Sequence, residues 1–136
     1  MTVRINIKSS FKRGEVDEFI FYHMKSIMED LAQSIVRFTP PSYKKSAIVD
    51  TGAYITSHSI VGSSSSGGRL RTAGSKPRKQ NPDEKAAEAL DLLYSDMDKF
   101  TTFDSVRRFK LVNRSPHAEE VEEKYAVYER VGARFR

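Results

Sequence analysis

The sequence predicts an α+β domain over residues 1–136. Its frame is a long helix packed on a small, mainly antiparallel sheet of three to four strands, with a second helix and a long flexible basic loop. Three observations carry this. Val3, Ile5 and Ile7 alternate with Arg4 and Asn6, which is the period of a half-buried strand. From Glu15 the period changes: Val16, Phe19, Ile20, His23, Met24, Ile27, Leu31, Ile35 and Phe38 recur at spacings of three and four, the stripe of an amphipathic helix. Residues 62–80, GSSSSGGRLRTAGSKPRKQ, hold one large apolar residue and no acid, the composition of a loop.

Ser9, Ser10 and Gly14 suit a turn after the first strand. Glu15, Asp17 and Glu18 favour the positive end of the long helix, and Arg37 favours the other end. Pro40 and Pro41 stop it. At 1.5 Å per residue a helix of about 24 residues is about 36 Å long. His23 falls in the stripe and reads as a core histidine. Pro41–Ala47 is polar and basic, a loop. Ile48–Val61 is a strand candidate on the strength of Tyr54, Ile55, Ile60 and Val61, broken by Asp50-Thr51-Gly52.

After the loop, Asn81 can cap a second helix, Pro82 suits its first position and Glu84 can reach back to the cap. Ala86, Ala89, Leu90, Leu93 and Met97 line one face, and the helix should end near Phe100. Ser105–Asn113 reads as a strand, with Phe109 and Leu111 on one face and Val106 and Val112 on the other. Ser115 is placed to cap a short helix that begins at Pro116 and runs to about Lys124. Residues 125–136, YAVYERVGARFR, read as a strand or an extended C-terminal arm. There is no internal repeat.

Composition narrows the chemistry. The chain has no cysteine, which excludes disulfides, thiolate catalysis and cysteine-ligated metal sites. No apolar run is long enough to span a bilayer, and the N-terminus lacks the continuous apolar stretch of a secretory signal. The formal charge is +5. Arg69, Arg71, Lys76, Arg78 and Lys79 carry five positive charges within the loop, so the rest of the chain balances at 18 basic against 18 acidic residues, from totals of 23 and 18. Cations there can meet phosphates or an acidic protein surface. The loop has no aromatic residue to stack on bases, which argues against single-strand readout.

No catalytic constellation is visible. His23, His58 and His117 stand far apart, none with a partner at metal-ligand spacing. The run Gly62 to Gly67 superficially resembles a phosphate loop, but Gly68 and Arg69 stand where that motif needs Lys and then Ser or Thr. Glu119, Glu120, Glu122 and Glu123 form an acidic cluster, read as a solvated helix face or one presented to a basic partner rather than as acid–base machinery. The expectation is a non-enzymatic chain with no cofactor, no metal site and no catalytic residue.

Two local motifs are familiar. One is Thr39-Pro40 followed by Val49-Asp50-Thr51-Gly52-Ala53-Tyr54 and Ser57; the other is Leu111-Val112-Asn113-Arg114-Ser115-Pro116-His117-Ala118 with Glu122 after it. In their order, over residues 15–125, they resemble the tail-completion or neck proteins of tailed phages, a family of small head–tail joining and minor tail components. This chain departs by inserting Pro41–Ala47, by Tyr54 in place of a leucine, and by His117 where a tyrosine is usual. Physically, Asp50, Thr51 and Gly52 suit a turn, and Asn113 and Pro116 suit a strand-to-helix corner.

The resemblance implies a structural virion protein made in the host cytoplasm: a homo-oligomeric ring of six or twelve copies in the neck, joining the capsid to the tail. Its neighbours would be the portal or adaptor and the tail terminator or tube proteins. Double-stranded DNA would pass through the lumen with non-specific contact at most, and no membrane is involved. Arg69, Arg71, Lys76, Arg78 and Lys79 are the candidate partner or channel contacts. An alternative from the residues is a small DNA-binding or regulatory protein that uses the basic loop 69–79; an enzyme is least favoured.

Overall fold

The structure is a computed structural model that describes residues 3–8, 17–39, 54–65, 67–69, 82–115 and 118–135. In chain order these form β1 (Val3–Lys8), α1 (Asp17–Phe38), a 3-10 turn (Ile55–Ser57), β2 (His58–Gly62), α2 (Pro82–Met97), α3 (Phe103–Arg107), β3 (Arg108–Asn113), α4 (Ala118–Tyr125) and α5 (Val127–Ala133). The architecture is α+β, as the alternation of periods predicts. The three strands make one antiparallel sheet in the order β1-β3-β2.

β3 is central, and its register builds the core in rows. Leu111 lies between Ile5 and Ile60, Phe109 between Ile7 and Gly62, and Asn113 between Val3 and His58. The first two rows are apolar; the third carries the polar site. α1 is 22 residues long, about 33 Å. It packs against α2, α3 and α5, and its Ile20, Met24, Met28, Leu31 and Ile35 share one buried cluster with Ile5, Phe109 and Leu111. The buried stripe is rotated from the expected one. Met28 and Ala32 are inside, whereas Phe19 and His23 stand on the solvent side, their rings stacked with centroids 6.2 Å apart. The expected core role of His23 is therefore corrected: Ile20 and Met24 fill the apolar face, and His23 falls one residue before it.

Four further expectations change. Tyr54 and Ile55 belong to a helical turn, closed by Ser57 N–H donating to the Tyr54 carbonyl at 3.1 Å, and the strand starts only at His58. Residues 105–107 are helical because Thr102 and Ser105 cap α3 reciprocally, a local pair of hydrogen bonds that outcompetes the β propensity of Val106. The C-terminal arm 125–136 is corrected to helix α5 over Val127–Ala133. Ser115 does not serve as a side-chain cap: its carbonyl accepts from Ala118 N–H at 3.1 Å, and its hydroxyl is buried without a partner among the described residues.

The expected loop 62–80 also begins differently. Residues 67–69 lie on the outer face of β2 and β3, where Ser65 Oγ accepts from Gly67 N–H at 2.9 Å. Gly68 has φ +129°, and a Cβ there would stand 2.9 Å from Val112 Cγ2. This cover helps explain why Val112, on the face of β3 away from the core, is buried. Gly68→Ala should combine backbone strain with a clash and lower stability by about 1–3 kcal/mol. Urea denaturation checks it, and an unchanged midpoint would contradict the placement.

Candidate functional site: a buried polar network at one end of the sheet

The row of Asn113 and His58 ends the sheet where α1, α4 and α5 converge. Thr39 sits at the C-terminal end of α1 and donates its hydroxyl hydrogen to the Ile35 carbonyl at 2.6 Å. Having one hydrogen, it must accept from its other neighbour, His58 Nε2, at 3.0 Å. That fixes the proton of His58 on Nε2. Nδ1 is then an acceptor, and it faces two donors, the Tyr128 hydroxyl at 2.8 Å and Asn113 Nδ2 at 3.2 Å. The geometry defines a neutral imidazole with both ring nitrogens satisfied.

Asn113 is the hub. Its amide nitrogen also donates to the Tyr54 carbonyl at 2.8 Å, and its Oδ1 accepts from Ser115 N–H at 2.9 Å. It therefore ties β3 to the turn before β2, to His58, and to the chain leading into α4. Glu122, on α4, completes the end. Its carboxylate accepts from Tyr128 N–H at 2.8 Å and from Glu129 N–H at 3.0 Å. These are amides that the start of α5 leaves without intrahelical partners, since its cap position, Ala126, is left-handed with φ 51° and gives no side-chain bond.

Burial dominates the electrostatics. His58 is pushed down to about 3, first by burial and then by the nearby Arg69 charge. Burial raises the Tyr54 phenol, with Glu122 adding to it. Tyr128 is raised by burial, then by Tyr54 and Glu122. All three groups are held neutral, and the network's hydrogen bonds point inward. What this arrangement does is fix orientation: it locks three helices, a turn and two strands at one corner. Among the described residues, no group of three or more His, Asp or Glu residues is placed to hold a metal ion.

A second cluster lies on the far edge of the sheet. Arg69 pairs with Asp96 of α2 through both terminal nitrogens, each at 2.9 Å. The same guanidinium donates to the His58 carbonyl, at 2.6 Å, while Asp96 Oδ2 accepts from Ile60 N–H at 3.0 Å. Within β2, this His58 carbonyl and this Ile60 amide point away from β3. The ion pair thus takes one carbonyl and one amide of the edge that a further strand would otherwise take. Asp96→Ala should strand both Arg69 and Ile60 N–H. The expected loss is about 2–3 kcal/mol, discounted from a fully buried pair because Arg69 is partly exposed. Chemical denaturation measures it, and a change under 0.5 kcal/mol would count against the plug.

The structure places the sequence-predicted residues unevenly. Asn113 and Glu122 are in the network, as are Thr39 and Tyr54 from the same motifs. Arg69, expected to face a partner or DNA, is corrected to an internal ion pair. Asp50, Thr51, Gly52, Arg71, Lys76, Arg78, Lys79 and Pro116 lie outside the described residues. Sequence reasoning missed His58, Tyr128 and Asp96. A signal existed for Asp96, an acid three residues after Leu93 on the buried face of α2. None existed for Tyr128, which sits in a tail read as extended. No protein-family profile, curated protein or solved structure matches the chain.

Proposed function

We propose that this chain is a non-enzymatic structural subunit of the tailed-phage neck, one copy in a ring of six or twelve that joins the capsid to the tail. One observation carries the reading. The two motifs that resemble the neck and tail-completion family are 60 or so residues apart, yet Thr39, Tyr54 and Asn113 surround one buried histidine, and Glu122 caps the helix that brings Tyr128 to it. Residues scattered along the chain act together to set one corner of the fold, which is what a subunit needs in order to present fixed surfaces to neighbours. The partners are the portal or adaptor on one side and the tail terminator or tube on the other, with double-stranded DNA passing through the lumen.

The basic loop supplies the test. Arg69 is committed to Asp96, so the variant neutralises Arg71, Lys76, Arg78 and Lys79 to Gln and keeps Arg69. The sequence reads these four as solvated loop charges, which contribute about 0–1 kcal/mol per pair, so the fold should survive. In a complementation assay, electron microscopy should show full heads and separate tails if the loop docks on a neighbouring ring. Normal joining with altered DNA retention would place the loop in the channel. Absence of the chain from purified virions would overturn the reading.

A further inference from the structure

Three arginines converge on one aromatic ring where the C-terminal ends of α1 and α5 meet. Phe38, the last residue of α1, is half-buried against the core. The guanidinium carbons of Arg37 and Arg130 lie 5.7 Å from its ring centroid, and that of Arg134 lies at 6.0 Å. No two of them are more than about 12 Å apart, little more than the Debye length of about 8–10 Å at moderate salt. All three residues are exposed. Two are also held by hydrogen bonds: Arg134 Nη1 donates to Oγ of the buried Ser34 at 3.1 Å, and Arg130 Nη1 to the Tyr125 carbonyl at 3.2 Å. The negative ends of two helix dipoles lower the cost of gathering these cations, with Arg37 and Arg130 in last turns and Arg134 at the cap. Packing on Phe38 does not account for the set. Cation–π attraction acts at a ring face, and a ring has two faces, so the third cation is surplus.

We propose that Arg37, Arg130 and Arg134 form a binding site for the phosphate backbone of double-stranded DNA. A guanidinium rather than an ammonium stands at all three positions, and its planar fork can give two parallel N–H donors to one phosphate. The charge density fits a duplex, which carries one negative charge per about 1.7 Å of axis, so a patch about 12 Å across meets several phosphates at once. Side chains already held in place lose less freedom on binding. The ring in the cluster is engaged by the cations and is not offered to bases, so contact is with the backbone and independent of sequence. The choice of DNA over an acidic protein surface rests on the neck reading, in which a duplex passes through the lumen. The site lies outside the basic loop, on two helices that the core and the His58 network hold fixed.

Fluorescence anisotropy of a labelled duplex with the purified full chain, over a salt series, tests the site. At about 0.9 per phosphate contact, Arg37→Gln/Arg130→Gln/Arg134→Gln should flatten the slope of log affinity against log salt by about 2–3 units. Arg37→Lys/Arg130→Lys/Arg134→Lys keeps the charges and should keep the slope. Each single Gln variant should flatten it by about 1 unit, so the outcome does not depend on the triple variant folding, which circular dichroism checks. The variant with Arg71, Lys76, Arg78 and Lys79 changed to Gln should retain the share of the slope that the three arginines carry. Polyglutamate of matched charge should compete less well than unlabelled duplex. Absence of salt-dependent duplex binding by the native chain would overturn the proposal. So would native-like binding by the folded triple Gln variant, or equal competition by polyglutamate, which would make the occupant an acidic protein surface. None of these results bears on the ring reading, which stands or falls with the presence of the chain in virions.

Discussion

Asn113→Asp should lower stability by about 3–5 kcal/mol, enough to unfold a domain of marginal stability. The substitution keeps the shape and changes only the chemistry. In the native protein the amide nitrogen donates to two acceptors, the Tyr54 carbonyl at 2.8 Å and His58 Nδ1 at 3.2 Å. A carboxylate oxygen there would face both acceptors with no hydrogen to share, while carrying a charge at a fully buried position. Only the bond from Ser115 N–H at 2.9 Å would remain favourable. Asn113→Ala should cost less, because it deletes the bonds without adding a charge. Thermal and urea unfolding of the two variants separate the cases. If Asp were tolerated as well as Ala, the hub would be wet and the network would not lock the corner.

The same residue shows what the sequence made readable. Asn113 stood out because it ends a run of strand residues just before Ser115 and Pro116. Its partner His58 did not, because that contact is set by tertiary register: His58 reaches Asn113 only through the β2–β3 pairing. Elements with strong periods, β1, α1 and α2, were legible because burial on one face dictates their apolar spacing. Elements held by short-range caps were not. α3 rests on the Thr102–Ser105 pair within a segment whose Val106 favours strand. α5 rests on a carboxylate six and seven residues before the amides it accepts from, a cap with no local signature. Composition misled most at Arg69. A cation in a Gly/Ser run reads as solvated, and nothing nearby in sequence announces Asp96.

The two clusters divide the labour at the sheet. The His58 network fixes the end of the sheet where β2 and β3 meet α4 and α5. The Arg69–Asp96 pair closes the β2 edge, taking the carbonyl of His58 itself. One residue thus belongs to both, its ring inside the first and its backbone inside the second. The two clusters also share charge, since Arg69 helps hold the imidazole neutral. Breaking the ion pair should therefore loosen the histidine as well as the edge, and Asp96→Ala and Asn113→Ala should be non-additive.

Acidification should destabilise the protein through His58, starting below pH 6.5. The ring's proton affinity is lowered in the folded state from its ordinary 6.5 to about 3, first by burial and then by Arg69. Geometry agrees: an added proton on Nδ1 would confront the Tyr128 hydroxyl and the Asn113 amide, both donors to that nitrogen. The sign follows from linkage. Below 6.5 the unfolded chain binds the proton and the folded chain does not, so stability is fully present above 6.5 and falls with pH until about 3. At about 1.36 kcal/mol per pH unit, the loss should be about 2 kcal/mol at pH 5 and approach about 5 kcal/mol near pH 3. The window from pH 7.5 to 5 is the cleaner one, because it lies above the ordinary carboxylate range. His58→Gln retains a donor for Thr39 but cannot titrate. It should start less stable at pH 7.5, lose less on acidification, and approach the native protein by pH 5. Urea unfolding at a series of pH values reads both slopes. Equal slopes in the two proteins would show that His58 is not the group that titrates.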